Sequence, residues 1–211
     1  MSKNRRSHIL SNKIICKQPD DYIGWPTIAR KIDGEILVVF SGSRETHVCP
    51  YGKVQVVRSK DNGETWSEAD TISNSPLDDR DAGIVVMPSG TIIVSWFTVN
   101  TVEGIDRFKG RVPDLTLDGW RRHCKKIPEE HRNRWIGKRR RRRGHWTRRS
   151  IDDGRTWEPE VDSIVNASHG PIVLKDGRLL YVGNSVMGGK PVLLAVESID
   201  EGQSWQQIGE I

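Results

Sequence analysis

Three stretches of this chain repeat one pattern of apolar and polar positions. Residues 28–40 run apolar, break at Asp33-Gly34 and run apolar again; residues 84–96 do the same around Ser89-Gly90, and residues 172–182 around Asp176-Gly177. A small polar residue followed by glycine between two apolar runs marks a tight hairpin. The second run of each pair is almost continuously apolar, as expected of a strand covered on both faces. A third strand is predicted at 53–58, 145–149 and 192–197, and a fourth near 71–72, 161–164 and 206–211. The pattern therefore predicts an all-β chain in which four antiparallel strands, A to D, occur three times. Residues 13–17 are expected as a further, outer strand that clasps a last unit.

Between the third and fourth strands of each unit lies a second repeat: Ser59-Lys-Asp-Asn-Gly-Glu-Thr-Trp66, Ser150-Ile-Asp-Asp-Gly-Arg-Thr-Trp157 and Ser198-Ile-Asp-Glu-Gly-Gln-Ser-Trp205. A fixed motif recurring in one chain signals a repeat architecture. Its residues suit a turn. Asp61, Asp152 and Asp200 are expected to accept bonds from backbone N–H groups two residues on, and Gly63, Gly154 and Gly202 supply a positive φ. Ser59, Ser150 and Ser198 open the motif, and each tryptophan offers a flat face to a neighbour. These twelve residues read as structural.

The motif is similar to the Asp-box, and through it the chain resembles the sialidase-like β-propellers, also called BNR-repeat proteins. The resemblance covers nearly the whole chain apart from one insertion and the first residues. It implies blades at about 21–75, 76–165 and 166–211 behind an N-terminal segment 1–20. Sialidases have six blades, so the chain is expected to be the N-terminal half of such a protein, with open blade faces able to self-associate. The Asp-box specifies a fold more than an activity.

Strand alternation locates the functional end. In an A-B-C-D meander the A–B and C–D turns share one end, which carries the Asp-boxes; B–C and D–A loops share the other. Those front loops hold Tyr22-Ile-Gly-Trp-Pro26, Ser41-Gly-Ser-Arg-Glu-Thr-His-Val-Cys-Pro-Tyr-Gly52, Leu77-Asp-Asp-Arg-Asp-Ala-Gly83, Ala167-Ser-His-Gly-Pro171 and Gly183-Asn-Ser185. Crowded carboxylates at inner-strand entrances acquire shifted pKa values. Asp81, Asp79 and Glu45 are thus the candidate catalytic groups, and Arg44, Arg80, His47, His169 and Asn184 the candidate substrate contacts.

Set beside the sialidases, Pro26 and Gly34 align so that Gly24 stands where their carboxylate-gripping Arg-Ile-Pro arginine belongs. Arg44 matches a further family arginine at the end of strand B. The expected acid/base aspartate falls near Cys49, where Glu45 is the nearest carboxylate. The resemblance implies a glycoside hydrolase, truncated here and inactive alone; the alternative is a non-catalytic glycan- or protein-binding propeller. The missing arginine argues against ordinary sialic-acid specificity, because gripping a carboxylate calls for charge-assisted arginine contacts.

The formal net charge of +5 is local in origin. Residues 105–149 carry 17 basic and 5 acidic side chains, a net of +12, which leaves −7 on the rest of the chain. All but two of those basic residues fall within a predicted insertion at 99–144, read as a solvated loop, a lid, or a contact for anionic sugars, with nucleic acid disfavoured. Cys16, Cys49 and Cys124 show neither a disulfide framework nor metal spacing, and neither a metal nor a cofactor is expected. The chain contains no apolar run of about 20 residues for a membrane span. Without a signal-peptide pattern it is expected in the cytoplasm, or secreted if a leader lies upstream.

Overall fold

The computed structural model describes residues 11–44, 46–49, 52–75, 77–99 and 144–211. Twelve strands form three four-stranded antiparallel sheets, and the described residues contain no helix. Blade 1 is β1 (Tyr22–Arg30), β2 (Ile36–Arg44), β3 (Lys53–Ser59) and β4 (Asp70–Ser73). Blade 2 is β5 (Asp78–Val86), β6 (Ile92–Val99), β7 (Gly144–Ser150) and β8 (Val161–Asp162). Blade 3 is β9 (Ile172–Val173), β10 (Leu179–Met187), β11 (Lys190–Ser198) and β12 (Gln206–Glu210). Each sheet follows chain order, as the repeated hairpins predict.

The continuously apolar second strands are explained by packing on both faces. Leu37 and Val39 of β2 join Ala82, Ile84, Ile92, Val94 and Trp96 in the core between blades 1 and 2. Val38 and Phe40 point the other way, toward Val57 and Trp66. Likewise Ile93 of β6 turns from that core to meet Met87 and Leu179 at the junction with blade 3. The inner strands lie side by side, β1 along β5 and β5 against β9.

The three Asp-box-like motifs occupy the β3–β4, β7–β8 and β11–β12 turns. In the second, Asp152 accepts bonds from Ser150 Oγ at 2.8 Å, Thr156 N at 2.9 Å and Thr156 Oγ1 at 2.6 Å; the backbone donor lies four residues on rather than two, because Gly154 N is taken by Ser150 Oγ at 2.7 Å. Asp61 and Asp200 repeat the arrangement with Thr65 and Ser204. The threonine hydroxyl, the threonine N–H and then the serine hydroxyl hold the Asp61 and Asp152 carboxyls down at about 2. Asp-box tryptophans serve the junctions: Trp157 packs into the core between blades 1 and 2, and Trp205 into that between blades 2 and 3. Trp205 also donates to Thr147 Oγ1 at 3.0 Å.

Each junction carries a second, polar device. Arg58, just before the first Asp-box, donates to the carbonyls of Asp153 and Gly154 in the next blade at 2.9 and 3.2 Å. Arg149, at the same position in blade 2, donates to the carbonyls of Asp200 and Glu201 at 3.2 and 3.4 Å. In blade 3 the position is Glu197, which accepts instead from Arg178 and Gln206. The outward face of that blade leaves Val182, Leu193 and Ile172 exposed.

Residues 13–17 form no strand. They run as irregular chain along the outer side of blade 1, where Ile15 and Cys16 pack on Val38, Phe40 and Val57 and Lys13 pairs with Glu64. The segment lacks a strand partner, and two side chains in an apolar groove are enough to seat it. The basic insertion falls almost wholly outside the described residues.

Candidate functional site

The front end of the inner strands is built from one register position used three times. Each A–B turn is closed by the same backbone bond, from Lys31 N to the Glu35 carbonyl, Met87 N to Thr91 and Leu174 N to Arg178. Counting six residues back from each donor gives Trp25, Asp81 and Ser168. Strand pairing slips beside the first two, between Gly24 and Thr27 in β1 and between Arg80 and Gly83 in β5. There Trp25 and Asp81 adopt φ of 54°. A bulge re-aims a side chain, and a non-glycine residue in the left-handed region stores about 1–3 kcal/mol, which is why such residues gather at functional sites.

Three blades hold Asp81 in place. Its N–H donates to Ser41 Oγ of blade 1 at 2.9 Å, and Ser168, ahead of blade 3, lies beside its carboxyl and favours the charged form. Behind Ser168, Gly83 lets the two chains meet: a Cβ there would lie 2.5 Å from Gly170 N and from the His169 carbonyl carbon. His169 is exposed, and its Nδ1 lies 3.1 Å from Thr27 Oγ1 of β1. The Tyr181 hydroxyl accepts from Ala167 N at 3.0 Å, anchoring the same loop from below.

Under the bulges lies a network of four charges. Arg44 and Asp78 are both fully buried and pair through two parallel bonds, at 2.5 and 3.0 Å. Arg44 also donates to the His47 carbonyl at 3.0 Å. Burial opposes the charge on Arg44, but Asp78 outweighs it and holds the guanidinium above its ordinary value. Arg80 lies beside this pair, 3.8 Å from Asp78 and 3.8 Å from Asp81, too far for a hydrogen bond to either. Its residue surface is 8% exposed and its Nε has no partner. Asp81 Oδ1 is buried without a partner as well.

An aromatic cap covers the network. The Trp25 ring stands 4.9 Å from the Arg80 guanidinium and 5.3 Å from that of Arg44, within cation–π range. His47 meets Trp25 edge-on at 4.8 Å, and Tyr22 meets it at 5.9 Å. Burial, then Arg80 and Arg44, push the His47 imidazole below its ordinary value, so it is neutral at neutral pH. At Gly24, where the sialidase-type arginine belongs, a Cβ would meet the Tyr22 ring at 3.0 Å.

The structure thus brings together Arg44, Arg80, Asp81, His47 and His169, and it gives them different stations. Arg44 sits beneath the cap with its fork committed to Asp78, so it does not face solvent. Asp79 is fully buried: Oδ1 accepts from Ser75 Oγ at 2.7 Å, and Oδ2 from Ser73 Oγ at 2.9 Å and Ser75 N at 2.8 Å. Burial, outweighing these serine bonds, raises its carboxyl to about 7. Burial likewise raises Asp81, against Arg80, Arg44 and His47. Asn184 is exposed on the face of β10 that carries Val182, and its backbone pairs with Asn166. Glu45 lies outside the described residues. The candidate list lacked Trp25, Tyr22 and Ser168; counting six residues back from each Asp-Gly or Ser-Gly turn donor finds Trp25 and Ser168.

No protein-family model matches the chain, and no curated protein matches it by sequence. Solved structures do match it by fold. A protein of unknown function from Dyadobacter fermentans is 19% identical with a TM-score of 0.62, over 94% of this chain and 57% of that one. The NanB sialidase from Streptococcus pneumoniae is 15% identical with a TM-score of 0.58, over 94% of this chain and 46% of that one. A family 117 glycoside hydrolase from Zobellia galactanivorans is 12% identical with a TM-score of 0.52, over 90% of this chain and 56% of that one. The fold is that of the sialidase-type β-propeller, and the chain spans about half the length of these structures.

Proposed function

We propose that this chain is a carbohydrate-active propeller unit that binds a glycosyl group at the front of its inner strands, under Trp25 and beside Asp81. The observation that carries the reading is the Arg80–Asp81 pair. Buried donor and acceptor atoms without partners are rare and costly, and here they adjoin an aromatic cap suited to a sugar face. The fold shared with a sialidase and a glycoside hydrolase supports the same chemistry.

Within this reading Asp81 is the candidate catalytic carboxylate, standing 3.8 Å from the Arg80 guanidinium at the edge of the cap. Asp79 acts as a support, fixing the Ser73–Ser75 turn. A second reading, glycan binding without turnover, is favoured by one observation. Among the described carboxylates of the cluster only Asp81 reaches solvent, with 13% of its side chain exposed, whereas glycoside hydrolysis needs two carboxyl groups facing the bond.

A glycan array and a panel of 4-nitrophenyl glycosides test the proposal. Binding lost in Asp81→Asn but retained in Asp152→Ala is expected, with the second variant lower in Tm. Product release that disappears with Asp81→Asn selects the hydrolase; binding without release selects the binding module. An array on which the folded wild type retains no glycan defeats the proposal.

A further inference from the structure

Resting on the glycan-binding reading, we infer that the sugar held at this site is electrically neutral and is gripped through a hydroxyl placed between Arg80 Nε and Asp81 Oδ1. These two atoms form a loose ion pair 3.8 Å apart, each buried and without a hydrogen-bond partner. One is a donor and the other, on an ionised Asp81, an acceptor. A hydroxyl is the group that serves both, accepting from the guanidinium while donating to the carboxylate. A carboxylate oxygen in the same place accepts from Nε but brings like charge against Oδ1.

The charge balance agrees. Arg44 is neutralised by Asp78 through two hydrogen bonds, and Arg80 stands equally far from Asp78 and Asp81. The four formal charges of the network sum to zero, and His47, pushed down, adds none at neutral pH. Recognising a sialic-acid carboxylate takes an uncompensated, preferably bidentate arginine, and among the described residues of this site no arginine is in that position. Gly24 leaves the sialidase-type arginine out, with the Tyr22 ring packed over its place. Among the described residues an extra carboxylate would meet no uncompensated cation, and a buried charge without a counter-charge is strongly disfavoured.

The cap supplies the apolar half of the contact. Tyr22 is 39% exposed and Trp25 half-buried, so the two rings offer a partly open face beside the polar pair. Arg80 and Asp81 keep 10% and 13% of their side-chain surface open to solvent, so the pair borders the surface a sugar would approach.

Saturation-transfer difference NMR on the full 211-residue chain separates the possibilities. The probes are the methyl glycosides of galactose, glucose, mannose, fucose and xylose, and methyl α-N-acetylneuraminoside. At least one neutral glycoside is expected to receive transfer, with the signal falling by about five-fold or more in Trp25→Ala and in Asp81→Asn. Arg80→Lys, which keeps the charge but not Nε, is expected to lose the same signal, whereas a site that merely needs a cation would keep it. Transfer greater to the neuraminoside than to every neutral glycoside overturns the neutral-sugar inference and leaves the glycan-binding proposal standing. Transfer to no probe, with glycan-array binding also absent, overturns both.

Discussion

Exchanging Arg44 for methionine tests whether the charge network is a foundation or a ligand grip. Arg44 and Asp78 have no exposed side-chain surface and share two bonds at 2.5 and 3.0 Å. Removing one member of such a pair costs about 3–5 kcal/mol, because the other charge stays buried without compensation. For a chain of this size about 2–4 °C of Tm accompanies each kcal/mol, so Arg44→Met should melt about 6–20 °C below wild type. The pH dependence distinguishes the two partners. In Arg44→Met the orphaned Asp78 can escape by binding a proton, since burial already raises its carboxyl. A folded-state pKa above the unfolded value removes stability as pH rises through it, so the deficit relative to wild type is larger at pH 8 than at pH 5. In Asp78→Asn the orphan is a guanidinium that cannot shed its proton, so its deficit does not grow as pH rises. Calorimetric melts at the two pH values read all of this. An Arg44→Met protein melting within about 2 °C of wild type, or the same pH dependence for both variants, would refute the reasoning.

Four further outcomes follow from the same geometry. Asp61 and Asp152, held at about 2, contribute stability that is present above about pH 4 and lost as pH falls toward 2. Asp79, raised to about 7, works in the opposite sense: the folded state binds the proton more tightly, so stability declines as pH rises from about 4 to 7, and melts of Asp79→Asn from pH 3 to 8 should lose that decline. Gly83→Ala should lower stability by about 1–3 kcal/mol, because its new methyl meets the backbone of His169 and Gly170; an unchanged urea midpoint would count against the close approach of the two chains. Arg149→Ala, which releases two carbonyls of the third Asp-box, should cost about 1–3 kcal/mol, and protease cleavage appearing first in blade 3 would mark where the junction opens.

The repeats were readable from the chain because their causes are local. An Asp-Gly turn, an Asp-box aspartate bonding four residues on and an apolar run covered on both faces depend only on near neighbours in sequence. All twelve strands, their order and the end of the sheets carrying the Asp-boxes follow from that. The site follows only in part. The candidate residues Arg44, Arg80 and Asp81 lie in the front loops as the alternation of turns requires, but sequence could not rank them. What sets Arg44 apart from Arg80 is Asp78, 34 residues away on the next blade, which takes the fork of one guanidinium and leaves the other without a hydrogen bond. Trp25 read as one more aromatic until a bulge turned it over the two arginines, and Ser168 read as loop until β5 and β9 came together. Burial, and with it the difference between a guanidinium paired to its carboxylate and one left without a hydrogen bond, is a property of neighbouring blades, so only the tertiary structure decides it.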